Sequence, residues 1–159
     1  WGNDYLRIVT WARLIHRNTG QGLYIYNSHW DFKNGFQKKA AKLLKQKIAQ
    51  RQHKNDAYII MGDFNALENS SAIQALMSSA KEQELIDVWQ GFTTKQTPVL
   101  ATKQGASFHG FSGQADSRID YIFASAKHLK KISTAKLIKY HRQAIWPSDH
   151  FPLLVELIF

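Results

Sequence analysis

A short apolar run at residues 59–61 ends in Gly62 and is followed by a carboxylate and a carboxamide two residues apart, Asp63 and Asn65. An apolar run of this length that stops at glycine is typical of a buried strand. Residues two apart in extended backbone point to the same side, so we expect Asp63 and Asn65 to face one cleft while Phe64 turns into the core. Together the two polar groups could hold a water molecule and contact a phosphoryl oxygen. A Gly-Asp turn after a strand is also common in loops without catalytic function, so this stretch alone leaves both interpretations open.

Three more polar clusters stand at the ends of predicted strands, at residues 27–31, at Arg118 with Asp120, and at residues 148–150. A single histidine beside an aspartate is usually a surface or capping pair. In combination the clusters describe a site with two histidines, an acidic group that activates water, and a carboxylate for a hard cation. Oxygen ligands in a chain with 0 Cys suit Mg²⁺, Mn²⁺ or Ca²⁺ better than Zn²⁺. Such a cation and an imidazolium could together neutralise the oxygens of a phosphate ester.

The composition is that of a folded protein of ordinary size. A chain of 159 residues with 44% hydrophobic and 13% aromatic residues predicts one domain over residues 1–159 with a single core. No apolar run is long enough to span a bilayer. The absence of cysteine excludes a disulfide framework and a thiolate site, but it fits a cytosolic and an exported protein equally well, so the compartment stays open.

The net charge of +9 and the pI near 9.8 favour a polyanionic partner, either nucleic acid or an anionic lipid surface. Part of this charge lies on a predicted helix over 36–51, whose apolar residues recur every three or four positions. The other face of that helix carries Lys38, Lys39, Lys42, Lys45, Lys47 and Arg51. Such a face can contact nucleic acid, or it can simply be solvated.

Strands and helices alternate along the chain, which predicts an α/β or α+β fold. We expect strands over 6–14, 23–27, 58–61 and 153–159, a strand that begins at 118, and another within 132–141. We expect a second helix over 72–81, after an N-cap at 69–71, and a short apolar segment at 85–89 that packs against it. Residues 92–113 have a weak pattern and predict a long loop over the mouth of the site, with a short strand near 107–111.

Four stretches of the chain resemble, in order, the motifs of the endonuclease/exonuclease/phosphatase superfamily, the deoxyribonuclease I-like metal-dependent phosphoesterases. Residues 27–31, NSHWD, resemble its Asn-Thr-His-Leu-Asp motif, and residues 62–66, GDFNA, match its central motif without a substitution. Residues 118–122, RIDYI, and residues 147–152, PSDHFP, resemble its last two motifs. The resemblance implies a deoxyribonuclease I-like β-sandwich flanked by helices.

The resemblance also implies catalytic roles for five residues. Asp63 would activate or orient the attacking water, and Asn65 would fix that water and contact the phosphoryl group. His150 would bind the phosphate, with Asp120 holding its imidazole in one tautomer. His29 would contact a second phosphoryl oxygen or act as an acid toward the leaving group.

For the cation, the resemblance implies Asp149 as a ligand, with Asp63 and Asn65 as further candidates. Substrate contacts are expected from residues in or near the motifs and the long loop: Asp31, Arg118, His109 and Trp146. Trp146 could stack on a base or ring. His109 lies in the long loop, where we expect substrate choice to be made.

One part of the family pattern cannot be placed in this chain. The family begins with a strand that ends in Asn, followed by a metal-binding Glu, whereas Glu68, Glu82, Glu84 and Glu156 stand in other contexts. The chain therefore resembles the larger, C-terminal part of the domain. We expect Asp149 to hold a cation more weakly without its partner. We also expect an exposed sheet edge and apolar face, which an N-terminal segment or a second copy of the chain would cover.

Together these features predict a divalent-metal-dependent hydrolase of phosphate esters, with phosphodiesters of nucleic acid favoured by the basic charge. Fold does not fix substrate, so a phosphatase of sugar phosphates or lipid headgroups stays open. The other alternative is a non-catalytic or impaired relative that binds nucleic acid or protein. A second acidic side chain beside Asp149 would favour the enzyme, and a cation-free cleft in millimolar Mg²⁺ would favour the binder.

Overall fold

Two β-sheets and three helices make up the computed structural model, which describes residues 1–3, 5–78, 84–94, 105–143 and 145–159. In chain order the elements are β1 (Val9–Ile15), β2 (Gly22–Ser28), α1 (Asn34–Ala49), β3 (Ala57–Asp63), α2 (Ser71–Met77), β4 (Leu85–Asp87), α3 (Val88–Thr93), β5 (Asp120–Ser125), β6 (Lys131–Leu137) and β7 (Leu153–Ile158). None of the described helices is long and apolar enough to cross a bilayer.

The larger sheet has the strand order β1-β2-β3-β5-β4. β1 and β2 form an antiparallel hairpin, and β2 runs parallel to β3. α1 makes the crossover between these two strands, because parallel neighbours need a long connection that returns the chain to the same edge. β5 pairs antiparallel with both β3 and β4, while β6 and β7 form a separate antiparallel pair. The sheets are mixed and flanked by helices, which confirms the predicted α+β class.

β5 is covered on both faces. Tyr121 and Phe123 belong to a core that includes Phe64 and the buried sides of α1 and α2. Ile122 and Ala124 belong instead to a second core formed with α3, β6 and β7. Because successive side chains of a strand point to opposite faces, the larger sheet lies between a layer of helices and the smaller sheet.

The smaller sheet covers only one end of the larger one. Among the described residues, the second core takes side chains from β5 but none from β1, β2 or β3. β1 is an edge strand whose Trp11 and Leu14 are 64% and 49% exposed. An exposed edge with apolar side chains is the feature expected from the missing part of the family pattern. What covers it, an N-terminal segment or a second copy of the chain, stays a prediction.

The beginning of α2 agrees with the N-cap prediction. The side chain of Ser70 accepts a hydrogen bond from the amide of Ile73 at 3.3 Å, and the helix begins at Ser71. α2 ends at Met77, and residues 79–81 of the predicted helix lie outside the described residues.

The region after α2 differs from expectation. Residues 85–89 form β4 and the start of α3 rather than one apolar stretch. The short strand expected near the site is reduced, in the described part of the chain, to single bridges from Phe108 to Ser117 and to His150. Residues 95–104 of the expected long loop lie outside the described residues.

Candidate active site

Strand direction and register bring the polar clusters to one edge of the larger sheet. β2 and β3 are parallel, so His29, which follows β2, and Asp63, which ends β3, lie at the same end. β5 runs the other way, and its first residue, Asp120, pairs with Asp63. The amide of Trp30 donates to the Asp63 carbonyl oxygen at 2.8 Å, which ties the loop after β2 to the end of β3. Three motifs that are far apart in the chain therefore meet at this edge.

Gly62 allows the ends of β2 and β3 to approach each other. Its φ is +136°, in a region essentially restricted to glycine. A Cβ at this position would lie 1.9 Å from the carbonyl oxygen of Ser28. Any side chain would therefore push the end of β2 away from Asp63, which explains why the motif needs glycine here.

Asn65 differs from the expected geometry. Its φ is +46°, the left-handed conformation that asparagine tolerates better than most residues, so the backbone is not extended. Its amide N–H donates to Asp63 Oδ1 at 2.8 Å and closes a turn, while its Nδ2 donates to the carbonyl oxygen of Trp30 at 2.9 Å. The prediction that extended backbone places Asp63 and Asn65 side by side is wrong, because a turn holds them together. Phe64 is fully buried, as predicted.

His150 and Asp120 form a hydrogen-bonded pair. His150 Nδ1 lies 2.7 Å from Asp120 Oδ2, and the same oxygen accepts a hydrogen bond from Ser107 Oγ at 2.6 Å. Ser107 is fully buried, and its carbonyl oxygen accepts from the amide of Phe151, so it joins the loop before β5 to the segment that carries His150. Sequence reasoning missed Ser107 as a positioning residue, since no local pattern links it to an aspartate 13 residues away.

Two imidazoles flank one oxygen of Asp63. His29 Nε2 lies 3.4 Å from Asp63 Oδ2, and His150 Nε2 lies 3.9 Å from it. The His29 side chain is 56% exposed, whereas those of Asp63 and His150 are 16% and 23% exposed. His29 can therefore meet a molecule arriving from solvent. We call the site formed by His29, Asp63, Asp120 and His150 the pocket. The structure brings His29, Asp63, Asp120 and His150 together, and their chemical roles stay predictions.

The electrostatics of the pocket shift two pKa values upward. Burial raises the pKa of Asp63, and the charge of Asp120 raises it further. The hydrogen bond from the amide of Asn65 and the two imidazoles lower it, but the net shift is upward. For His150, burial alone would lower the pKa, but the hydrogen bond and charge of Asp120, helped by Asp63, raise it above the ordinary value of 6.5. His150 therefore stays cationic over a wider pH range than a free histidine.

The His150–Asp120 pair predicts a pH-dependent contribution to stability. Because the pKa of His150 is raised in the folded protein, the pair stabilises it fully below pH 6.5 and loses that effect as the pH rises through the raised value. Urea unfolding in EDTA should therefore show Asp120→Asn less stable than wild type below pH 6.5, with the difference shrinking at higher pH. A difference that is constant from pH 5.5 to pH 9 would contradict this account, and Asp116→Asn, an exposed carboxylate, is the control.

Asp63, Asp120 and His150 form a group that could hold a metal ion. One ligand atom of each lies within 4.8 Å of the other two. Asp120 Oδ2 already contacts His150 Nδ1 and Asp63 Oδ1 already accepts from a backbone amide. A cation would therefore meet Asp120 Oδ1 and Asp63 Oδ2, the oxygen that the two imidazoles flank. Carboxylate oxygens are the ligands that hard divalent cations prefer. The donor set therefore fits such a cation, with the two aspartates as its ligands.

Asp149 lies outside this group. Among the residues that the structure describes, the group contains neither Asp149 nor any glutamate. The carbonyl oxygen of Asp149 accepts from the amides of His109 and Gly110, so its backbone holds the loop. The geometry gives the predicted metal role of Asp149 no support. Asn65 donates its Nδ2 to the carbonyl oxygen of Trp30, and its predicted role as a cation ligand through Oδ1 stays a prediction.

Two of the predicted substrate-binding residues are buried and have structural partners. Asp31 is 2% exposed and accepts from the amide of Lys33 at 2.8 Å, a hydrogen bond that lowers its pKa. The Arg118 side chain is 5% exposed and forms ion pairs with Asp87 and Glu68. Both side chains are thus engaged by structural partners, and their role in substrate binding stays a prediction.

The other two, His109 and Trp146, belong to an aromatic cluster behind His150. The His109 ring stacks on Phe151 with centroids 4.1 Å apart and lies 5.0 Å from the Trp146 ring. His109 is buried, and its Nδ1 accepts from the amide of Gly113. Phe151, the residue after His150, is itself part of this cluster, so the cluster supports the position of that imidazole.

Comparison with known proteins gives a family and a fold. The model of the Endonuclease/Exonuclease/phosphatase family matches residues 2–150. Among solved structures, the mannosyl-6-phosphatase of Bacteroides thetaiotaomicron is 25% identical with a TM-score of 0.77, over 100% of this chain and 60% of that one. TDP2 of D. rerio, in complex with a single-strand DNA product, is 20% identical with a TM-score of 0.74, over 99% and 64%. The catalytic domain of human nocturnin is 19% identical with a TM-score of 0.68, over 96% and 53%.

The chain thus spans about 60% of the length of the first of these structures. A search of the curated proteins found no significant match. The match to part of a deoxyribonuclease I-like domain confirms both the predicted fold and the prediction that this chain resembles only part of it.

Proposed function

The chain belongs to the Endonuclease/Exonuclease/phosphatase family, and on that premise we propose that it is a divalent-metal-dependent hydrolase of phosphate esters. The observation that carries the proposal is the pocket in which His29 and His150 flank the Asp63 carboxylate while Asp120 orients His150. One group that accepts a proton and two that can donate to phosphoryl oxygens are the elements that phosphate-ester hydrolysis needs.

Each residue of the pocket has a step in this proposal. Asp63 orients the attacking water and accepts its proton. His150, kept protonated by Asp120, donates from Nε2 to a phosphoryl oxygen as negative charge builds there. His29 is exposed at the rim, where it can donate a proton to the leaving oxygen. A divalent cation held by Asp63 and Asp120, with Mg²⁺ proposed first, would add Lewis-acid neutralisation of phosphoryl charge.

For the substrate, we propose phosphodiesters of nucleic acid. The net charge of +9 favours a polyanion over a small monoester. The TDP2 complex contains a single-strand DNA product, so this fold can accommodate a nucleic acid strand. The similarity to a mannosyl-6-phosphatase favours the second candidate, a phosphatase of sugar phosphates.

A comparison of substrates tests this choice. With Mg²⁺, Mn²⁺ or Ca²⁺ added in turn at low salt, kcat/KM for a single-stranded oligonucleotide should exceed that for mannose 6-phosphate by about tenfold or more, because the basic surface attracts the longer anion. EDTA should abolish both activities. Faster turnover of the sugar phosphate would favour the second candidate, and binding without turnover would favour a non-catalytic relative.

Measuring activity against Mg²⁺ concentration tests the effect of the family's metal-binding Glu, which cannot be placed in this chain. Among the described residues the metal-binding group contains no glutamate, and affinity for hard cations falls as charged ligands are lost. Half-maximal activity is therefore expected at millimolar Mg²⁺. Saturation at micromolar Mg²⁺ would contradict the view that the site is impaired in this chain.

A further inference from the structure

α1 carries charge of one sign only. Five of its 16 residues are lysine and none is acidic: Lys38, Lys39, Lys42, Lys45 and Lys47. α2, which packs beside it, has no charged residue at all. A solvated helix face commonly interleaves both signs, because opposite charges three or four residues apart stabilise a helix. The uninterrupted cationic face instead creates a positive potential over the helical layer.

A groove of about 510 Å³ lies between α1 and α2. Its lining consists of Lys38, Lys42, Lys45, Ser71, Ala75 and Ser78. The three lysines are spaced i, i+4 and i+7, so they lie on one side of α1 and span about 10 Å along it. The groove therefore has one cationic wall and one neutral wall.

The three lysines of the groove do not have the same role. Lys45 Nζ donates to the carbonyl oxygens of Ala75 and Ser78 at 2.9 Å each, which satisfies the end of α2 and joins the two helices. Lys38 and Lys42 are exposed, and neither has an acidic partner among the described residues. Within the described part of the chain, two ammonium groups without an acidic partner thus line a groove whose two helices are joined by Lys45.

The first turn of α1, which leads to the groove-lining Lys38, contacts the candidate active site. Gln37, the residue before Lys38, is buried, and its Nε2 donates to the carbonyl oxygen of Asn65 at 2.5 Å. The turn that holds Asp63 is therefore in direct contact with the first turn of α1.

We propose that this groove is a binding site for the phosphate backbone of single-stranded nucleic acid, separate from the catalytic pocket. Lys38 and Lys42 contact phosphates, and Lys45 joins the two helices that form the walls. A concave groove of this size admits one sugar-phosphate strand, whereas a flat bilayer meets only its rim. The site gives the nucleic acid preference of the proposed function a structural origin, although binding itself does not depend on hydrolysis.

Binding without metal tests the proposal. The anisotropy of a labelled 12-nucleotide thymidine strand is measured in EDTA against the whole chain from 25 to 200 mM NaCl. The Lys38→Gln/Lys42→Gln variant should bind the strand about tenfold more weakly than wild type at 25 mM NaCl. Its slope of log K against log salt should be shallower by about 1.4, because each phosphate contact to a single strand contributes about 0.7. The control is Lys131→Gln/Lys136→Gln, which removes the same charge from exposed positions on β6.

An unchanged affinity, or an equal loss in the control pair, would overturn the proposal, because the net charge and not the groove would then be responsible. Loss of binding to phosphatidylglycerol vesicles, with strand binding intact, would assign the lysines to a lipid surface instead. Bis(p-nitrophenyl) phosphate bound in the catalytic pocket is too small to reach the groove. Its rate of hydrolysis should therefore be equal in wild type and the Lys38→Gln/Lys42→Gln variant. That measurement separates a failure of the groove from a failure of the proposed catalysis.

Discussion

Replacing Asp63 with asparagine will lower phosphodiester hydrolysis by about a thousandfold while leaving the protein folded and no less stable. The loss has the size expected when a positioned general base is removed. Asparagine has the shape of aspartate and can still accept from the amide of Asn65, so the turn survives. It cannot take a proton from water, and it places an amide where His29 and His150 face a carboxylate oxygen.

The stability of Asp63→Asn is the second half of this prediction. Because burial raises the pKa of Asp63, the charged form opposes folding at neutral pH, and a neutral side chain removes that penalty. The urea midpoint should stay equal or rise while kcat on bis(p-nitrophenyl) phosphate falls. Asp116→Asn, an exposed carboxylate, should change neither quantity. Retained activity in Asp63→Asn would remove the central residue from the mechanism.

The positions of the motifs could be predicted because each one borders a strand. His29 follows β2, Asp63 ends β3 and Asp120 begins β5, and strand direction alone then brings them to one edge of the sheet. The apolar spacing of α1 was equally informative, since Leu44 and Ile48 are buried where the helical period requires. Local pattern thus predicted polar residues at strand ends, whereas the order and direction of the strands that bring them together are found only in the structure.

The details that were missed depend on contacts between distant segments. The left-handed turn at Asn65 depends on the carbonyl of Trp30, 35 residues away, and no local period predicts it. Arg118 stands next to a site motif, yet its partners Asp87 and Glu68 lie 31 and 50 residues away and bury it in the framework. Sequence patterns locate polar residues near a site, but only packing decides which of them face the pocket.

Replacing Arg118 with methionine will cost about 4 kcal/mol of folding free energy, because it leaves a buried carboxylate without its partner. The Arg118 side chain is 5% exposed and that of Asp87 is 4% exposed, and the two are directly paired. Arg118 also pairs with Glu68 at 3.3 Å, and its guanidinium lies 4.5 Å from the centre of the Tyr121 ring. Methionine keeps much of the volume but supplies none of these interactions. Urea unfolding at pH 7 measures the loss.

A second ion pair and a double variant serve as controls for this framework role of Arg118. Arg13 pairs with Asp56 at 2.7 Å with side chains 27% and 17% exposed, so Arg13→Met should cost about 1 kcal/mol or less. Adding Asp87→Asn to Arg118→Met should restore part of the lost stability, because the second change removes the uncompensated charge. Asparagine at 87 can still accept the capping hydrogen bond from Gln90. A KM that rises in Arg118→Met with stability and kcat unchanged would instead indicate that Arg118 contacts the substrate.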